Sequence, residues 1–216
     1  PGAYRILCGT KRDAFLGSGG EILKEGKDMN ITERIKNILL KPKEEWQTIA
    51  AETTSIAELY RNYIFILAAI GPVASFIGMS LVGVSLPVGG TFRVSIARGL
   101  ASAVVHYGLA LAAVYILAMI IDALAPTFSG EKNLGQAFKL AMYSSVPGWL
   151  AGVFALIPAL GVLGILGLYG LYLLYIGLPV LMKSPKEKST GYTIAVIIAA
   201  IVMFVVIGAL SRALIA

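Results

Sequence analysis

LAMYSSVPGWLAGVFALIPALGVLGILGLYGLYLLYIGLPVLM, residues 140–182, runs for 43 positions without an Asp, Glu, Lys, Arg or His. A helix at the surface of a soluble protein exposes one face to water and marks it with charge. This stretch has no such face. As a single α-helix it would reach about 64 Å at ~1.5 Å per residue, twice the ~30 Å of bilayer hydrocarbon. It therefore predicts two membrane crossings joined by a turn, and Pro158-Ala159-Leu160-Gly161 supplies turn residues.

The same signature recurs on either side. Residues 63–92 and 189–211 also lack Asp, Glu, Lys, Arg and His. Tyr63–Leu86, closed by Pro87-Val88-Gly89-Gly90, reads as the first span and Val94–Leu124 as the second. Ala137–Ile157 and Val162–Met182 are the third and fourth, and Tyr192–Ile215 the fifth. The second exceeds the hydrocarbon thickness and is expected to tilt or to project into water. The expected fold is all-α: a polytopic membrane protein with five transmembrane helices preceded by an amphipathic N-terminal helical segment. Composition agrees, at 57% hydrophobic, 14% charged and a mean hydropathy of +0.81.

The net charge of +6 is distributed as membrane topology rather than as a nucleic-acid surface. No basic face with interleaved aromatics accompanies it, so no nucleic acid is expected. Five spans put the termini on opposite sides. Segments 1–62, 126–139 and 183–191 then carry fifteen of the eighteen Lys and Arg, which places the N-terminus inside and the C-terminus outside. The short loop holding Lys183 and Lys186 is the clearest marker. The expected location is a cell inner (cytoplasmic) membrane, crossed several times. The single Cys8 cannot form an internal disulfide. No apolar core segment precedes the first crossing, which is expected to direct insertion itself.

Before the first span, residues 29–62 form a module of their own. Asn30 and Glu33 have capping-box spacing, and Ile31, Ile35, Ile38 and Leu39 share one side of Ile31–Leu40, opposite Glu33, Arg34 and Lys36. Pro42 ends or restarts that helix. Trp46 and Ile49 share a face of the next, and Ser55 with Glu58 opens a helix into the first span. Such a basic amphipathic segment either lies in the membrane interface or packs under the bundle as a cytoplasmic cap. Ile31, Ile35, Trp46, Lys183 and Lys186 are the candidate interfacial or partner face. Residues 1–28 have no sustained period, and Met29 is followed at once by the first capped helix. They read as a disordered leader or non-native upstream sequence.

Ionisable groups inside a bilayer are costly and usually functional. His106 is the only histidine and lies on the second span between Arg98 and Asp122. It forms either part of a proton or ion path or a neutral interhelical hydrogen bond. Pro72, Pro147 and Pro179 interrupt spans, and Ser144-Ser145-Val146-Pro147-Gly148 is the expected bend. His106, Tyr143, Ser144, Pro147 and Tyr172 are the candidate intramembrane polar site, with His106 and the Tyr143–Pro147 segment facing the bundle interior. Gly161, Gly164, Gly167 and Gly170 recur every third residue and Gly148 with Gly152 makes a GxxxG. Without a Lys-Ser/Thr ending these form no phosphate loop, and they read as close helix contacts. One His and one Cys make no metal site, and Ser144-Ser145 has no base beside it. No catalytic residue, metal or cofactor is expected.

The order of elements resembles a known family. Ile38-Leu39-Leu40-Lys41-Pro42-Lys43-Glu44-Glu45-Trp46 precedes five spans. The third opens Gln136-Ala137-Phe138-Lys139-Leu140-Ala141-Met142-Tyr143-Ser144-Ser145-Val146-Pro147. The fourth reads Gly167-Leu168-Tyr169-Gly170-Leu171-Tyr172-Leu173-Leu174-Tyr175-Ile176-Gly177-Leu178-Pro179 and leads into a Lys-Ser-Pro-Lys loop. From Met29 onward this is similar to the prokaryotic branch of the Yip family of Ypt/Rab-interacting membrane proteins. The resemblance implies a five-span domain at 63–216 and a membrane-organising or partner-recruiting role in place of an enzymatic one. The chain lacks the long cytosolic region and the Asp-Leu-Tyr-Gly-Pro type motif of the eukaryotic relatives. The lipid bilayer, protein partners at the cytoplasmic face and a homo-oligomer are the partners this allows. The other reading of the residues is a small transporter or channel with a polar site between kinked helices.

Overall fold

The computed structural model of the chain describes residues 30–86 and 90–215. The expected leader at 1–28 and residues 87–89 of the expected closing turn lie outside them. Two short helices come first, α1 (Ile31–Leu40) and α2 (Pro42–Ala51). Asn30 caps α1 by accepting from the Thr32 N–H at 3.3 Å, and Pro42 opens α2 at a position where its missing N–H costs nothing. Ser55 and Glu58 form the expected reciprocal capping box. They start α3 (Ile56–Val82), which contains π-helical turns at Tyr60–Ile64 and Ile77–Val82.

Gly83 ends α3 with φ +84°, a conformation that suits glycine. There a Cβ would meet the Phe92 carbonyl oxygen at 2.7 Å. A small antiparallel hairpin follows, β1 (Val84–Leu86) with β2 (Gly90–Phe92). Next come α4 (Ile96–Leu124), α5 (Leu134–Ala151), α6 (Tyr169–Leu181) and α7 (Lys186–Ile215).

The protein is an all-α polytopic membrane protein. Among the described residues four helical stretches are long and apolar enough to cross a bilayer: Ile56–Val82, Ile96–Phe128, Pro158–Leu181 and Lys186–Leu214. The expected third crossing corresponds to α5 and differs from these. It is 18 residues long and carries Gln136, Lys139, Ser144 and Ser145. It tolerates them because it is enclosed by protein: residues 137–143 are all buried, with α4 on one side and α6 on the other.

α5 passes through Pro147 as helix, so the chain does not break at 144–148, and the expected turn at 158–161 is corrected. The chain leaves helical geometry at Ile157, which is extended (φ −121°, ψ 105°), because the ring of a following proline disfavours the α conformation. Residues expected to form the turn instead begin a 3-10 helix, Pro158–Leu168. Its three residues per turn explain the glycine period. Gly161, Gly164 and Gly167 fall on one stripe, and Gly170 continues it.

The inner end of that stripe is where backbones meet. A Cβ on Gly170 would lie 2.2 Å from the Ser144 carbonyl oxygen, and one on Gly167 3.1 Å from Gly148 Cα. Gly152 packs similarly on Gly71, at 2.8 Å. Small residues here permit close helix approach in a medium that supplies no hydrophobic drive. Tyrosine hydroxyls tie neighbouring helices. Tyr60 donates to Leu111 O at 2.8 Å, Tyr107 to Phe65 O at 3.0 Å, and Tyr192 to Ile121 O.

Candidate functional site

Two groups of polar side chains stand out among the described residues. The first is a joint between the N-terminal helices and the bundle. Arg34 on α1 is buried and its guanidinium pairs with Glu45 on α2 and with Glu52 just beyond it. Burial opposes the charge on Arg34, but Tyr143 and the two carboxylates outweigh it and its pKa is raised. From the bundle, Lys139 on α5 donates to Ile49 O at 2.9 Å and to Glu52 O, and Gln136 Nε2 donates to Ala50 O at 2.9 Å. These carbonyls end α2, where no helical N–H remains to satisfy them and a cation complements the helix dipole.

Aromatic rings close the joint. Trp46 is buried edge-on against Tyr143, with centroids 6.1 Å apart and planes at 88°, and Tyr143 meets Tyr63 at 5.9 Å. Gly177 on α6 makes room, since a Cβ there would stand 2.8 Å from the Trp46 ring. The second place is a cleft of about 440 Å³ between the far halves of α3 and α4, lined by Ser75, Phe76, Met79, Gly99, Ser102 and His106 among others. The His106 Nδ1 lies 2.8 Å from Ser102 O, which can only accept, so Nδ1 carries the proton. Nε2 is then the acceptor for Ser211 Oγ of α7 at 3.3 Å.

The expected intramembrane set is not one site. Tyr143 and Pro147 are buried within α5, Tyr143 at the joint. Ser144 turns its carbonyl toward Gly170 and its buried hydroxyl finds no partner among the described residues. His106, expected to face the bundle interior, is instead exposed on the cleft, where it keeps its hydrogen bond to α7. Tyr172 is corrected: it is 43% exposed and its ring meets Tyr169. The α6 phenols line the outside because the glycine stripe takes the inward face.

The candidate interfacial face is also corrected in part. Trp46 is fully buried, and Ile31 and Ile35 are half-buried, since the apolar face of these helices is taken by the bundle. Lys183 and Lys186 are exposed, and Lys183 pairs with Glu131 at 2.7 Å. Sequence reasoning missed Arg34, Glu45, Glu52 and Lys139. The available signal was Lys139 itself, a cation inside an expected span, which asks for a buried partner.

In chemical terms the joint is a largely buried clasp, and the cleft offers one imidazole with two serines. Among the described residues no three His, Cys, Asp or Glu side chains converge as a metal site would require.

The pattern of the Yip1 domain matches residues 36–207. Two relatives are the "Inner membrane protein YohC" of Escherichia coli strain K12 and that of Escherichia coli O6:H1. Each is 29% identical over 156 residues, 70% of this chain and 80% of the relative. No solved structure matches. The matched region takes in the joint from Lys36 onward, the cleft and most of α7, and on that extent the chain belongs to the Yip1 domain family.

Proposed function

We propose that the chain is a non-enzymatic membrane scaffold that organises the bilayer or recruits partners through a rigid cytoplasmic cap formed by α1 and α2. The observation that carries this reading is the joint. Burying Arg34, Glu45 and Lys139 is costly unless each finds its partner, and the arrangement spends those charges on fixing the cap to α5. The outer surface of the cap then keeps one shape. Glu33, Lys36, Lys43, Glu44 and Gln47 are exposed on it. The cap half of the bundle is filled by Trp46, Phe138, Leu140, Tyr143 and Leu178, all essentially inaccessible. In this reading the N-terminus is inside an inner membrane and the C-terminus outside.

The cleft supports a second reading, a small transporter in which His106, Ser102 and Ser211 take part in conduction. Reconstitution into liposomes with proton and ion flux measured for the wild type and His106→Ala separates the two. Flux no greater than in protein-free vesicles is expected. A robust flux that His106→Ala abolishes would end the scaffold reading.

A further inference from the structure

We infer that the tip of the α1–α2 hairpin, Leu40-Lys41-Pro42-Lys43, is seated in the headgroup layer of the membrane and binds anionic lipid. The inference rests on the cap being a fixed part of a membrane scaffold, and adds what its tip touches. The hairpin does not stand clear of the bundle. Tyr169, the first residue of α6, donates its hydroxyl to Leu39 O at 2.9 Å. Eight residues later Gly177 receives Trp46. The hairpin thus lies along about 12 Å of α6, with its tip at the Tyr169 end.

Where the bilayer ends on this side follows from lengths and from side chains. Pro158–Leu168 contributes eleven residues at about 2.0 Å each, and Tyr169–Leu181 thirteen at about 1.5 Å each. Together they reach roughly 40 Å, some 10 Å more than the hydrocarbon, so the last turns of α6 emerge from it. The exposed side chains mark the same level. Leu166 and Leu168 face outward first, then Tyr169, Tyr172 and Tyr175, all exposed, as in the aromatic belt at a membrane surface. On α3 the order is mirrored: Arg61 and Asn62 are exposed, then Phe65 and Ile66. The Tyr63–Tyr143–Trp46 ring contacts connect that boundary to the cap.

At this level the tip presents a combination that suits neither water nor hydrocarbon. Leu40 is 69% exposed, while Lys41 and Lys43 on either side of it are exposed as well. Pro42 between them is buried and anchors the turn. An apolar side chain flanked by lysines at an aromatic belt matches a surface of lipid phosphates, where each basic residue adds attraction to anionic lipid and the leucine enters the acyl boundary.

The test uses the full chain with Cys8→Ser and a single new thiol, Leu40→Cys, labelled with a polarity-sensitive nitrobenzoxadiazole. It is reconstituted in vesicles of phosphatidylglycerol and phosphatidylethanolamine. Blue-shifted emission is expected, quenched more by nitroxide near the headgroup than by nitroxide at mid-chain. The same label at Thr48, exposed farther along α2, is expected to emit as in water. Aqueous emission at position 40 without lipid quenching would overturn the inference, and would leave the scaffold reading intact if the flux measurement still showed no conduction. Combining Lys41→Glu with Lys43→Glu is expected to weaken the headgroup quenching, and replacing the anionic lipid with phosphatidylcholine to do the same. Quenching indifferent to both would overturn the assignment of anionic lipid.

Discussion

Lys139, in the second turn of α5, places its ammonium 2.9 Å from the backbone carbonyl of Ile49 and so joins the enclosed helix of the bundle to the end of the second cap helix. Removing the ammonium leaves that carbonyl and the neighbouring Glu52 carbonyl without a donor in a buried place. Each such loss costs on the order of 1–3 kcal/mol. Lys139→Met, which keeps the length and apolar volume, is expected to lower the thermal midpoint in detergent and to make the segment between Ala51 and Ile56 susceptible to protease. Unchanged melting and unchanged cleavage would show that the cap is held elsewhere.

Arg34 tests the other half of the clasp. Arg34→Met strands Glu45 in a buried position, and breaking a buried pair from one side costs about 3–5 kcal/mol. Replacing both, Arg34→Met with Glu45→Met, removes the stranded charge and is expected to recover most of the loss, because apolar replacements of buried pairs are often neutral. Thermal unfolding of the two variants decides the matter. A double variant no better than the single one would mean that Arg34 works chiefly through Glu52.

The spans were legible because a charge-free run is a property of neighbours in sequence, and Ile56–Val82, Ile96–Phe128 and Lys186–Leu214 follow from it with shifted ends. The joint was not. Arg34 is not opposite the apolar face as its charge suggests: three residues after Ile31 and four before Ile38, it lies at the edge of that face, and nothing in the local pattern shows what pairs its charge. It is buried by Glu45 and Glu52, eleven and eighteen residues away, and by a helix that begins beyond residue 130. The glycine period was visible, but its meaning depends on a 3-10 helix far longer than the usual three or four residues. Tyr172 points outward because Gly170, two residues before it and about 200° away around the same α-helix, packs on the Ser144 carbonyl.

Topology gives a prediction that depends on no energetics. With four long apolar stretches and the enclosed α5 all crossing, fusions after Lys188 and after Ala216 place their reporters on opposite sides of the membrane. Alkaline phosphatase, active outside, is expected to work only at the second site, and green fluorescent protein, fluorescent inside, only at the first. Equal signals from both sites would mean that α7 does not cross or that α5 enters and leaves on one side.

The crossing of α5 and α6 offers the sharpest contrast within a single glycine stripe. A Cβ at Gly170 would lie 2.2 Å from the Ser144 carbonyl oxygen, a backbone atom that cannot turn aside as a side chain could. Two helices must separate to admit it, which loosens the Gly167–Gly148 contact one turn away and the close packing of the enclosed α5 with it. Overpacking of this kind costs about 1–3 kcal/mol. Three and six residues before Gly167, Gly164 and Gly161 have nothing within 4 Å of an added methyl, and neither has a positive φ. Gly170→Ala is therefore expected to lower the thermal midpoint clearly, while Gly164→Ala leaves it unchanged or slightly raised, since alanine restricts the unfolded chain more than glycine does. Equal effects at the two positions would show that the stripe acts through backbone flexibility, and that close approach at Ser144 is not what holds the third and fourth segments together.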